Sequence, residues 1–303
     1  MTHPTAPVLD HVVVNVGNRL DDAQNIYRRL GFTLTERGHH SLGTSNHLAI
    51  FGENYLELLG FLGADKSPRP DLVDAPSGLH GLVFKVTDSI ALASHLAGRG
   101  LLEAAPAEFR RPVRLATGVE DARFRTVRIR ADLVQNGRVF FCHHFTPHLV
   151  WRDEWRSHPN GVTDIVGFVI STPSPAQSAA LYEQIFEAPL LDSDDKGNLS
   201  FTAGHARVSF LQPAHARSEF GAIARASDAQ GQETDRMVAL VLATRSLKET
   251  ANTLTQNDVP FDQLTDGSIL VEADHAAGVA LKFVSQRSHV NHGAQRPSAA
   301  ETQ

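Results

Sequence analysis

The sequence predicts an α+β fold in which four βαβββ modules pair into two open, cupped, β-barrel-like domains. Three observations carry this. The stretch LDHVVVNV at residues 9–16 returns about seventy residues later as LHGLVFKV at residues 79–86, each an apolar run holding one histidine. Each run is followed by a helical pattern and further strands, and the same order starts again near residues 165 and 238. Repetition of this kind is read before any motif, because it sets the architecture. The chain has 303 residues, which favours two domains of ~100–200 residues each.

In module one, residues 9–16 alternate and are β-branched, as a strand requires. Residues 20–30 (LDDAQNIYRRL) place Leu20, Ala23, Ile26, Tyr27 and Leu30 at helical spacing. Asp21 and Asp22 suit the positive end of that helix, and Gly31 suits its C-terminal stop. Residues 32–37 predict a short strand, and residues 47–51 and 55–61 a hairpin around Gly52-Glu53-Asn54.

Module two opens with the strand at 79–86 and a helix over 88–96, capped by Asp88 or Ser89. Residues 101–124 predict one strand at most. Residues 126–131 and 138–144 predict a hairpin around Asn136-Gly137. Module three reads as a strand at 165–171, a helix at 175–186 and a hairpin at 198–203 and 206–212. A polar loop at 217–236 leads to module four. Its strand is 238–244, its helix 247–256, and its last strands 261–264, 268–272 and 279–284. The expected units are a domain over residues 8–150, a connector over 151–162, and a second domain over 163–285. A disordered polar tail is expected over 286–303. Trp151 and Trp155, four apart in the connector, are placed to pack against a barrel.

Composition narrows the function. The chain is 42% hydrophobic and 20% charged, enough for real cores. A net charge of −6 gives nucleic acid no electrostatic invitation. The single cysteine, Cys142, excludes an intrachain disulfide and a thiolate zinc cluster, and suits a reducing, cytoplasmic setting. The first ten residues read as no signal peptide, and no apolar run reaches the ~20 residues of a membrane span. Sixteen histidines make imidazole chemistry the first place to look.

The module order, with histidine on two opening strands, resembles the vicinal oxygen chelate superfamily of glyoxalases, bleomycin-resistance proteins and extradiol dioxygenases. Residues 37–61 (RGHHSLGTSNHLAIFGENYLELLGF) and 140–161 (FFCHHFTPHLVWRDEWRSHPNG) look like its glyoxalase-like subgroup. The resemblance covers about residues 8–285. It implies that two modules cup one divalent metal, with ligands from the first and fourth strand of each. Mapped here, it assigns His11 and His80 on the first strands. It assigns Glu57 on one fourth strand, and His144 in preference to His143 on the other. Imidazole and carboxylate donors suit Fe, Mn, Ni, Co or Zn as the divalent ion.

Each assignment has a plainer counterpart. A lone His11 would read as a structural histidine; His80, taken as its match, argues for a ligand. Glu57 is either a ligand or half of an ion pair with Arg110, Arg111 or Arg128. His47 shares a face with Ala49 and Phe51, so it is a general acid or base only if that face looks into the cup. His40, His143 and Arg110 are candidate substrate contacts. The arginines of 110–114 and 123–130 also read as a solvated outer face, with Arg128 and Arg130 spaced by two.

The last two modules carry no histidine at comparable positions, and Lys282 lies where a ligand would stand. They are expected to form a metal-free barrel.

The leading functional expectation is a metal-dependent enzyme with Glu57 and His47 as catalytic groups. It would act on a small, oxygen-chelating, anionic substrate through lyase or isomerase chemistry. The alternatives are an Fe(II) ring-cleaving dioxygenase and a binding or resistance protein without catalysis. The expected partner is a small molecule, with neither nucleic acid nor membrane, and a homodimer is left open.

Overall fold

The computed structural model describes residues 6–41, 43–61, 70–73, 75–135, 137–223, 226–228 and 230–286. The expected tail beyond residue 286, and Asn136 of the expected turn, lie outside them.

Module one comprises β1 (Leu9–Gly17), α1 (Leu20–Arg29), β2 (Gly38–His39), β3 (Ser45–Ile50) and β4 (Tyr55–Gly60). A short helix, α2 (Pro70–Val73), precedes module two. That module has β5 (Gly78–Lys85), α3 (Ser89–Gly98), β6 (Ala107–Leu115), β7 (Gly118–Arg128) and β8 (Arg138–His144). Module three has β9 (Val162–Ser171), α4 (Pro175–Phe186), β10 (Asp192–Ser193), β11 (Leu199–Ala203) and β12 (Ala206–Leu211), followed by α5 (Pro213–Phe220). Module four has β13 (Arg236–Thr244), α6 (Leu247–Gln256), β14 (Asp262–Gln263), β15 (Ile269–Val271) and β16 (Ala280–Ser285).

Each pair of modules forms one eight-stranded sheet, in the orders β2-β3-β4-β1-β5-β8-β7-β6 and β10-β11-β12-β9-β13-β16-β15-β14. The two opening strands run antiparallel at each centre, and each is flanked by the parallel fourth strand of its own module. The outer edges of the first sheet come together, where Ser41 N donates to Arg110 O at 3.3 Å. The result is a cup. Strand alternation sorts the side chains. Val12, Val14, Leu56 and Leu58 join the helix-side core, while Val13, Tyr55, Leu59 and Val83 look into the cup.

The helices form for local reasons. Leu20, Ala23 and Tyr27 bury one stripe of α1, with Asp21 and Asp22 at its start and Arg28 and Arg29 at its end. Gly31 ends it at φ +85°, and a Cβ there would lie 2.6 Å from Thr253 Cγ2. The Asp88 side chain caps α3 by accepting from Ala91 N at 2.9 Å.

Three segments differ from expectation. Residues 32–37 form no strand, although Thr35 N donates to Leu48 O at 2.9 Å beside β3. Residues 101–124 hold most of a long hairpin, β6 with β7. Its outward charges and Pro112 conceal the period of two, and Pro112 is tolerated because β6 is an edge strand. The loop expected from residue 217 begins as the end of α5.

The two cups share one apolar core on the sheet faces opposite their concavities. Phe84 meets Phe186 edge-on at 5.1 Å, and Tyr182 and Phe201 continue the cluster at 5.1 Å. The connector is tied down by polar groups. His158 Nδ1 accepts from Thr33 N at 3.0 Å while its Nε2 donates to Ile50 O at 2.9 Å, and burial holds its pKa below the ordinary value. Asn54 exchanges two 3.0 Å hydrogen bonds with the backbone of Ile165. Trp155 closes a turn at Asp153–Trp155, while Trp151 packs against His144 with ring centroids 4.9 Å apart.

Candidate functional site

The inner face of the first cup brings together His11 from β1, Asn46 from β3 and Glu57 from β4. It adds Arg111 from β6, Phe124 and Arg128 from β7, and Phe140 from β8. His40 comes from the loop after β2. They surround a cavity of about 70 Å³ lined by His11, His40, Asn46, Glu57, Arg128, Arg138 and aromatic rings.

The pairing of β1 with β5 decides how His11 is held. Its register skips Asp10 between Leu9 and His11, a bulge that re-aims side chains. Asp10 is fully buried, and its Oδ2 accepts from His11 Nδ1 at 2.6 Å and from His144 Nε2 at 2.9 Å. Burial by itself would raise the Asp10 pKa. The neighbouring His144 and the two imidazole hydrogen bonds outweigh it and hold the carboxyl well below the usual range. An ionised Asp10 therefore fixes the proton of His11 on Nδ1 and leaves Nε2 as an acceptor facing the cup. Tyr55 stacks on the same ring at 4.4 Å and limits its rotation.

His11 Nε2 lies 3.9 Å from Glu57 Oε2. On the other side of that carboxylate, Oε1 accepts from Asn46 Nδ2 at 2.7 Å and lies 3.7 Å from His40 Nε2. His40 Nδ1 is bonded to Thr44 Oγ1 at 2.8 Å. Arg111 is buried beside Glu57. Burial pulls its pKa down, and the neighbouring Tyr55 and Glu57 work in the opposite direction.

The expected residues divide accordingly. His11, Glu57 and His40 meet in the cup. His144 reaches the cup-facing side of β8 but spends its Nε2 on Asp10. His80 is the extra residue of a second bulge, between Gly81 and Leu79, and does not line the cavity. Its register counterpart in β1 is Asp10; the counterpart of His11 is Gly81. A Cβ at Gly81 would lie 2.8 Å from Val13 Cβ, so that position has no space for a ligand side chain. The counterpart of Glu57 in β8 is Phe140, since Val13 pairs with Glu57 as Val83 pairs with Phe140.

Other expectations are corrected outright. His47 faces away from the cup with Ala49 and Phe51; its Nδ1 donates to Thr35 O at 2.9 Å, and burial lowers its pKa. His143 also faces outward, bonded to Ser89 Oγ at 3.1 Å. Arg110 is exposed and pairs with Asp121 at 3.1 Å, whereas Arg111, one residue on, points inward. Arg128 lines the cavity and does not belong to the outer face. Asp10 and Asn46 are residues that sequence reasoning missed, and for Asp10 there was one signal. That signal was an acid beside a histidine inside an apolar strand.

His11, His40 and Glu57 offer two imidazoles and one carboxylate, the donor types of a divalent-metal site, but their donor atoms do not all lie within 4.8 Å of one another, and His40 Nε2 is bonded to Asn46 Nδ2 at 3.1 Å. Asp10 would be the outer carboxylate that orients a ligating histidine. A second cluster, Asp10, Cys142 and His144, holds its donor atoms within 4.8 Å of one another. It fits less well. Asp10 and His144 are already joined, and burial drives the Cys142 thiol pKa well up.

The chain belongs to the glyoxalase-like domain family, whose model matches residues 9–186. A hypothetical protein from Staphylococcus aureus is similar in structure, with a TM-score of 0.61 and 12% identity over 91% of this chain and 98% of that one. So is a mutant of 4-hydroxymandelate synthase from Streptomyces coelicolor, at TM-score 0.56 and 13% identity over 93% of each chain. A fusion protein of a xylose isomerase-like TIM barrel with 4-hydroxyphenylpyruvate dioxygenase gives a TM-score of 0.56 at 13% identity, over 94% of this chain and 50% of that one. These likenesses show a shared fold. A search of curated proteins gives no match. Among the described residues no helix is long and apolar enough to cross a membrane.

Proposed function

We propose that the first cup is the active site of a metal-dependent enzyme for a small, anionic substrate with adjacent oxygens, of the lyase or isomerase type. The observation that carries this reading is the approach of His11 Nε2 to Glu57 Oε2, 3.9 Å apart, with His11 oriented by a buried carboxylate. A divalent ion held by His11, His40 and Glu57 would polarise the substrate oxygens and offset the charge left when a neighbouring carbon loses its proton. Glu57 is the group placed to take that proton. Asn46 holds one of its oxygens at 2.7 Å, and the other remains directed toward His11. Arg128 and Arg138 line the cavity and suit the substrate's anionic group. Phe109, Phe124 and Phe140 exclude water from the same space.

The test is elemental analysis of full-length protein purified without chelator or histidine tag. About one divalent ion per chain is expected, lost in a His11→Ala/Glu57→Gln double variant. Full occupancy in that variant would sink the assignment.

One observation favours a second reading. Two imidazoles and one carboxylate are also the donor set of non-haem Fe(II) oxygenases. Oxygen uptake on a panel of catechols with Fe(II) separates the two: uptake supports ring cleavage, and its absence supports the non-redox reaction.

A further inference from the structure

The second cup is not a filled scaffold. It opens into a cleft of about 650 Å³, against about 70 Å³ in the first. The register explains the difference. Gly167 and Val169 stand where His11 and Val13 stand in the first sheet, because Val241–Gly167 and Leu242–Ile165 repeat the bulged pairing of β5 with β1. Val169 pairs with Ser209 and Val241 with Lys282, so the places of Glu57 and Phe140 are taken by Ser209 and Lys282. An imidazole, a carboxylate and a phenyl ring have been replaced by a hydrogen, a hydroxymethyl and a flexible amine.

We infer that this second cup binds a small amphipathic carboxylate, with Lys282 as the anchor for its anionic head. Val169, Leu211, Phe220 and Val241 supply an apolar wall for the body of the molecule. The volume lies within the ~300–1,000 Å³ usual for small-molecule sites, and a few convergent polar groups in an apolar cup are the usual pattern. Lys282 extends from the floor, with its side chain only 12% exposed. Its Nζ lies 3.4 Å from Glu219 and 3.5 Å from Asp266, long for charge-assisted hydrogen bonds. Those two acids are about half exposed, with side chains 47% and 58% accessible. Glu219 loses little by turning to water when an anion takes its place, while Asp266 stays tied to Ser268 N and Oγ; the sheltered ammonium gains a closer partner. Arg207 and Ser209 share the cup face of β12 and add a second cation and a hydroxyl.

The probe is 8-anilinonaphthalene-1-sulfonate, an anionic apolar dye, titrated into the full chain and displaced with decanoate or decanol. Decanoate is expected to displace the dye and decanol to fail. Lys282→Met should weaken dye binding about tenfold or more, the value of a charge-assisted contact. Glu219→Gln should tighten it, since it removes the competing carboxylate. Neither variant should change the metal content of the first cup. Equal displacement by acid and alcohol, or unchanged dye affinity in both variants, would overturn the inference. If Lys282→Met melts early, the direction of the Glu219→Gln effect still decides it.

Discussion

Asp10 and His80 are register counterparts: each is the bulge residue of its central strand, and His11 stands opposite that pattern one residue further on. The two strand histidines are thus not mates. One bulge residue became a buried acid that holds two imidazoles, and the place matching His11 became a glycine pressed against Val13. The metal cage expected from pairing His11 with His80 is replaced by a one-sided cluster, in which module one supplies His11, His40, Asn46 and Glu57.

The role of Asp10 leads to a first prediction. Asp10→Asn keeps the size of the side chain but removes the charge that fixes the His11 tautomer. Affinity for Mn(II) or Zn(II), measured by calorimetry, is expected to fall about 10- to 100-fold. Unchanged affinity in a folded variant would remove Asp10 from the site.

His40 and His47 separate the inner from the outer face of the module-one hairpin. His40→Gln is expected to weaken the metal by at least about tenfold, because His40 Nε2 is 3.7 Å from Glu57. His47→Gln should leave metal binding intact and cost about 1 kcal/mol of stability through its bond to Thr35 O. Titration and thermal melting of both variants check this; the reverse pattern would return His47 to the active site.

Gly38 makes room for Arg111. A Cβ there would lie 2.4 Å from Arg111 Cδ and 2.4 Å from Asn46 Oδ1. Gly38→Ala should therefore cost about 1–3 kcal/mol, read by urea unfolding, and disturb the Asn46–Glu57 contact. A neutral effect would mean that Arg111 can leave its buried place freely.

Asp164 gives a pH dependence. Burial, the largest cause, lifts its pKa to about 6 beside Asn54 and Glu53. With a folded pKa above the unfolded one, the folded state binds the extra proton, so stability falls as pH rises from about 4 to about 6. Asp164→Asn is expected to flatten that interval and to add about 2 kcal/mol at pH 7, after allowance for its partial exposure. Melting temperatures of both proteins across this range test it. A parallel fall in the two would assign the effect elsewhere.

Much of the fold was legible in the chain. The spacing of Leu20, Ala23 and Tyr27, the stop at Gly31 and the cap at Asp88 are local signals, and local chemistry decides such elements. The helices at Pro175–Phe186 and Leu247–Gln256 are where the period places them. His11 and Glu57 were legible too, as polar residues inside apolar strands. Tertiary structure alone decided which face each strand buries and which residues a bulge removes from register. A one-residue shift moves a side chain to the other side of a sheet. That is why Asn46 and not His47 meets Glu57 and why Arg111 and not Arg110 enters the cup; that His80 answers to Asp10 is already visible when residues 9–16 are laid over 79–86. The sequence by itself determined the modules and the chemistry available to them. Pairing between strands distant in the chain determined where that chemistry converges, because a residue's face depends on the partner strand's register and not on its own neighbours.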